Sequence, residues 1–255
     1  MNFFNTVMLT LFSTLVAISA SAYGAYGLPD SCRGESFPTD NRECLISLAQ
    51  QGGYVLYTRH VRTETDFADQ DDTNFDIANC TLQRAVSDEG WQQAIELRDA
   101  IYAFDIRTNR VVSSQFCRAW QTAVQMYGHL NKKTPRLNFI QEVECAAEAD
   151  LQACLDRKAT DNLHPLLSKR VSKYRRKNRA LVAHDDPFKS ATGYYPFPMG
   201  ATYLIKPKGK RRGFEVVGCI SPDAWFGDAP EFACNLDTSL TADDFDEGVP
   251  EGDPL

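Results

Sequence analysis

Short apolar runs alternate with amphipathic stretches along this chain, and three of those runs end at arginine or histidine. No other feature narrows the fold so far. Residues 53–58 are rich in β-formers and bounded by Gly52-Gly53, the pattern of a buried strand. Residues 110–113 and 180–183 read as two further strands, and 137–140 as a possible fourth. Residues 201–206 and 214–220 read as a hairpin around Lys208-Gly209-Lys210. A short helix is expected over 44–50. Ser87 can cap a second over 88–104, with Trp91, Ala94, Ile95, Leu97 and Ile101 as its apolar stripe. Others are expected over 117–130, 151–158 and 163–177. This order predicts an α/β three-layer sandwich with a largely parallel central sheet. In such sheets ligands bind beyond the carboxyl ends of the strands. The chain places Arg59-His60, Arg118 and His184 there.

Residues 1–22 read as a signal peptide. They carry no charged side chain, have an apolar run from Val7 to Ile18, and end in Ala20-Ser21-Ala22. A retained anchor is the alternative, but the run falls short of the ~20 residues that a membrane-spanning helix needs. The expectation is a periplasmic or secreted protein without stable membrane insertion, its single domain covering 23–234. All eight cysteines follow the leader, and an even count in an exported chain argues for disulfides. Zinc is disfavoured, because there is no Cys-x-x-Cys pair and no histidine at ligand spacing from a cysteine. Neighbours in sequence suggest Cys32 with Cys44, Cys145 with Cys154 and Cys219 with Cys234, leaving Cys80 for Cys117, although spacing alone leaves other pairings open.

The net charge of −7 is carried by the end of the chain: residues 235–255 hold all of the acidic excess and no basic side chain. They read as a solvated, disordered tail. The basic stretch 169–179 reads as a solvated helix face in preference to an anion-binding patch, and nothing indicates a nucleic-acid partner. From His60 to Val86 the chain is polar and without periodicity, and loops of that length are usually functional.

Phosphoryl transfer needs a nucleophile in line with phosphorus and cationic donors on the equatorial oxygens. A neutral imidazole is a competent nucleophile, and arginines offer planar donors matched to phosphate. His60, Arg59, Arg118 and His184 meet those needs without a metal or cofactor, if the fold brings them together. His129 and His164 read as structural. Cys117 beside Arg118 reads as a disulfide partner in preference to a thiol nucleophile.

The motifs themselves resemble the histidine phosphatase superfamily. Val55-Leu56-Tyr57-Thr58-Arg59-His60 resembles its opening arginine–histidine signature. Ser113-Ser114-Gln115-Phe116-Cys117-Arg118 with Thr122-Ala123 resembles its second motif, and Ala180-Leu181-Val182-Ala183-His184 its late strand. Ser87, Gly90, Gln93 and Ala94 match its usual helix start. Gly200-Ala201 and Asp223-Ala224-Trp225 fit exported bacterial members. The resemblance implies a phosphoglycerate mutase-like fold, a phosphohistidine intermediate on His60 and phosphate binding by Arg59 and Arg118. It implies that His184 completes the pocket and that the substrate is a small phosphorylated molecule. Val61 stands where the family has glycine, and Asp66 where the mutase-like branch has asparagine. Thr63 stands where the acid phosphatase branch has a further arginine, with Arg62 one position early as a substitute substrate contact. The proton donor falls to Asp185, which follows His184 as in the acid phosphatase branch, narrowly ahead of Glu142; Glu144 and Asp66 are further options. The competing reading is a catalytically weak or inactive phosphate-binding module on the same fold.

Overall fold

In the computed structural model the chain is described over residues 27–64, 76–228, 232–241 and 243–246. The strands are β1 (Val55–Arg59), β2 (Arg107–Ser113), β3 (Lys132–Lys133), β4 (Lys177–Ala183), β5 (Thr202–Gly209) and β6 (Gly213–Ile220). They form one sheet in the order β3-β2-β4-β1-β5-β6. Only β5 pairs antiparallel to its neighbours, so the sheet is largely parallel as expected.

Alternation along the strands builds two cores. Leu56, Val111, Ala180 and Val182 face α1 (Arg42–Gln51), α2 (Asp88–Ala103) and α3 (Cys117–Tyr127). Val55, Tyr57, Leu181 and Ala183 face α4 (Leu151–Ser168) and α5 (Asp185–Thr192). Strands covered on both faces read as unbroken apolar runs, which is why 53–58 and 180–183 stood out. The three-layer sandwich holds.

Several expectations need correction. Residues 137–140 form no strand; Pro135 opens a 3-10 turn over Pro135–Leu137, and the edge strand lies earlier, at Lys132–Lys133. Helix α3 stops at Tyr127 because Gly128 takes the left-handed conformation at φ 68° and closes the helix with its N–H on Val124. Helix α4 runs unbroken from Leu151 to Ser168, so the helix expected over 163–177 ends early. The basic stretch is therefore not a helix face. Residues 169–176 form a loop in which Arg175 and Arg176 sit at φ 59° and 53°, and the remainder enters β4. Like charges one turn apart disfavour a helix there, while the sheet gains Asn178 and Arg179. In α2, Trp91 stays 37% exposed and the polar Gln93 turns inward.

All four disulfides join the sequence neighbours: Cys32–Cys44, Cys80–Cys117, Cys145–Cys154 and Cys219–Cys234. The acidic end begins inside the packed structure, since Asn235 is 5% exposed and residues 243–246 form a short helix, α6. Among the described residues no helix is long and apolar enough to cross a membrane. The expected signal peptide and Asp66 lie outside the described residues.

Candidate active site

Strand register decides what meets at the carboxyl end of the sheet. Arg59 of β1 is level with Ala183 of β4, so the next residues of the two strands, His60 and His184, become neighbours. The His60 N–H donates to Ala183 O at 2.9 Å, and the two imidazole centroids stand 5.4 Å apart. Ser113 of β2 is level with Val182, which brings the first turn of α3, carrying Arg118, to the same place. Helices α3 and α5 both begin here, so their positive ends add to the field of the arginines. His129, on the Tyr127 carbonyl, and His164, beside Phe214, belong elsewhere.

His60 is 4% exposed and its ring is oriented at both nitrogens. Nδ1 lies 2.9 Å from the Val61 carbonyl, which can only accept, so the proton sits on Nδ1. Nε2 is then bare, and Arg118 Nε donates to it at 3.2 Å. Burial first, then Arg118 and Arg59, holds the imidazole well below its ordinary pKa. A neutral ring with its lone pair on Nε2 is the nucleophilic form. Val61 sits in the chain without backbone strain: among the described residues the positive-φ non-glycines are Asp105, Arg175 and Arg176. Thr122 ties the two motifs together, donating to Arg118 O at 2.7 Å and accepting from Val61 N at 3.3 Å.

His184 is 1% exposed and packs edge-on against Phe116 and Phe139. Ser114 Oγ gives its hydrogen to Asn138 Oδ1 at 2.8 Å, so His184 Nε2 must donate to Oγ across 2.9 Å. His184 Nδ1 is left buried without a protein partner, as is Arg59 Nε. Buried polar atoms are normally paired; the unpaired Arg59 Nε–H suits an anion as it stands, whereas His184 Nδ1 is a bare lone pair that could meet an anion only once protonated. Burial, Arg118 and His60 hold His184 neutral as well.

Arg59 is 6% exposed and ion-paired with Asp185. Its Nη1 donates to Pro196 O at 3.1 Å, and its guanidinium lies 5.3 Å from the Tyr195 ring centroid. Asp185 also accepts from Tyr195 Oη at 3.1 Å and from Asp186 N at 3.1 Å. Burial opposes its charge, yet Arg59, with the histidines behind it, draws Asp185 well below the usual carboxylate range. Asp186 moves the other way. Its side chain reaches solvent, but crowding and the adjacent Asp185 push its carboxyl up to about 6.

Arg62 lines a surface cleft of about 520 Å³ with Asp88, Glu89, Glu96 and Asp223. Glu142 is exposed on a 3-10 turn, three residues after Phe139, and makes no hydrogen bond or ion pair with the cluster. Glu144 caps that same turn through Gln141 N at 3.3 Å. Sequence reasoning assigned no role to Ser114 or Gln93, although both stand in the motifs, and it missed Asn138, Phe139 and Tyr195. Gln93 holds the backbone beside His60, accepting from Arg62 N at 3.1 Å and donating to Met199 O at 3.2 Å. Gly90 is needed because a Cβ there would lie 2.0 Å from the Arg62 carbonyl oxygen. Tyr195 and Phe139 sit in loops, where no periodicity marks them.

No protein family model matches the chain, and no curated protein does. Among solved structures it is similar to the protein histidine phosphatase SixA complexed with tungstate, at 16% identity and a TM-score of 0.42, over 66% of this chain and 97% of that one. It is similar to a mycobacterial glucosyl-3-phosphoglycerate phosphatase at 13% identity and 0.47, over 67% and 100%. It is also similar to the α-ribazole phosphatase from Shigella flexneri at 15% identity and 0.43, over 66% and 96%. At such identities and TM-scores the likeness carries no chemistry. The residues at the sheet's carboxyl end do.

Proposed function

We propose that this chain is a metal-independent phosphatase that hydrolyses a small phosphomonoester through a phosphohistidine on His60. The observation that carries the reading is the bare Nε2 of His60, fixed by Nδ1 on Val61 and faced by Arg118 at 3.2 Å. Arg118 releases Nε2 to bind the phosphate oxygens, and the lone pair attacks phosphorus as the bond to the leaving oxygen breaks. Arg59 and Arg118 hold the equatorial oxygens, and water then attacks the phosphohistidine to release phosphate.

The leaving oxygen needs a proton, and Asp185 remains our candidate donor. In the free site it is an anion on Arg59. An arriving phosphate dianion competes for that guanidinium and raises the carboxylate's proton affinity by like-charge repulsion. The same field favours a second proton on His184, turning its unpartnered Nδ1 into a donor as well. The ion pair is also what favours the second reading, a phosphate-binding module: Asp185 locked on Arg59 has no proton to give. Four disulfides support placing the protein in an oxidising compartment, periplasmic or extracellular.

The test is a rapid quench after mixing with 32P-labelled phosphomonoester. An acid-labile, base-stable label mapped to His60 is expected. Phosphate binding without label, and without turnover of p-nitrophenyl phosphate over a broad pH range, leaves only the module.

A further inference from the structure

The sequence reading placed nothing functional after Cys234, yet that segment reaches the catalytic cluster by two routes. The first begins at the Cys219–Cys234 disulfide, which pins the segment to the end of β6. Asn235 follows and is 5% exposed. Its N–H donates to Phe197 O at 3.2 Å, its Nδ2 to Tyr195 O at 2.9 Å, and its carbonyl accepts from Tyr203 Oη at 2.6 Å. Asn235 thus fixes both ends of the turn whose middle carbonyl, Pro196 O, holds Arg59 Nη1.

The second route is aromatic. Asp244 accepts from Thr241 N at 2.6 Å and Oγ1 at 2.9 Å, closing the turn that presents Phe245. Phe245 stacks on Phe197 at 4.3 Å and 16°, and on Tyr195 at 5.5 Å and 14°. Tyr195 in turn touches both members of the ion pair, its hydroxyl on Asp185 and its ring beneath Arg59.

We infer that Phe245, with Tyr195, is a positioning residue for the proposed reaction: Asn235 and Phe245 form a clamp that sets where Arg59 and Asp185 point. The inference rests on Arg59 being a phosphate ligand, as proposed above. An arginine that must hold an anion in one geometry loses affinity when it can swing away. A displacement well short of breaking the fold is enough to weaken it.

The experiment uses the full chain with Phe245→Ala and Phe245→Tyr, reading KM for p-nitrophenyl phosphate, Ki for inorganic phosphate, kcat and Tm. Phe245→Ala is expected to raise KM and Ki together by about 10-fold while kcat changes by less than about 3-fold, and Phe245→Tyr to restore both. Tyr195→Phe, which removes a donor from Asp185 and so raises the pKa of the proposed acid, is expected to move the alkaline limb of kcat/KM to higher pH. Unchanged KM and Ki in Phe245→Ala, beside an active wild type, overturn the clamp. So does a rise that merely follows a fallen Tm and is not reversed by tyrosine. A wild type that neither turns over substrate nor binds phosphate sinks the phosphatase reading instead.

Discussion

Both ends of the sheet are crowded with cations, and the two crowds differ in every respect except charge. At the carboxyl end of β1 and beyond that of β2, Arg59 and Arg118 are 6% and 7% exposed, each held by directed hydrogen bonds. At the opposite end, β5 and β6 turn over beyond the start of β1. There Arg170, Lys208, Lys210, Arg211 and Arg212 line a surface cleft of about 540 Å³. The hairpin tip carries more positive charge than the carboxyl end of the sheet, but its side chains are solvated on flexible stems. Screened charges at such a surface contribute little to any one contact. Desolvated, oriented charges act at full strength on whatever enters. The comparison teaches that fixation, and not the number of cations, separates a site from a surface.

The largest effect that would break this contrast is loss of the nucleophile. His60→Ala should lower turnover of p-nitrophenyl phosphate by at least about 10³-fold, whereas any substitution at the hairpin tip should not approach that. Steady-state kinetics on both variants decide it; a His60→Ala protein within tenfold of wild type removes the nucleophile assignment.

A sharper probe is Arg118→Lys, which keeps the charge and removes the planar fork. We expect kcat/KM to fall about 10²-fold, because a lysine cannot reproduce both the contact with His60 and a two-pronged hold on phosphate. Full activity in that variant would mean that bare charge suffices, as at the other end.

Acidity gives a third comparison, read in stability. Folding holds His60 and His184 below their unfolded pKa of about 6.5, so as pH falls through that value the unfolded chain takes up protons that the folded chain refuses. Stability contributed by the two neutral rings is therefore present above that pH and lost below it, and Tm should drop between pH 7 and 5. Asp186, raised to about 6, binds its proton in the folded state and offsets part of the drop between about 4 and 6. Thermal melts of His60→Asn and His184→Asn should each show a shallower slope. Slopes equal to wild type would contradict the burial of these rings.

The smallest effect is expected at the hairpin tip. The double change Arg211→Ala with Arg212→Ala should alter kcat/KM by less than about twofold and Tm only slightly. A larger change would mean that the far end of the sheet reaches the site.

Much of the candidate site was legible because its residues sit where strands end. The runs 53–58 and 180–183 announce buried strands, and a buried parallel strand delivers whatever follows it to one rim. Ser87, Gly90 and Gln93 were legible as a helix start but not as neighbours of Arg62, since that contact joins segments far apart in the chain. The helix expected over 163–177 failed for a different reason. Its pattern continues past Ser168, but β4 competes for the same residues, and a central strand buried on both faces outweighs a charged helical turn.

By itself the sequence determined the layered α/β plan and the presence of arginine and histidine beyond three strand ends, and it suggested, without fixing, the pairing of neighbouring cysteines. Those are local facts, written in apolar periodicity and short spacings. The tertiary structure decided which nitrogen of His60 is bare, that Asp185 is spoken for by Arg59, that Asp186 is the raised carboxyl of the pair, and that the acidic end stacks Phe245 on Tyr195. Each of these depends on burial and on partners from distant segments. A side chain's charge state and aim are set by its three-dimensional neighbours, which no stretch of chain contains.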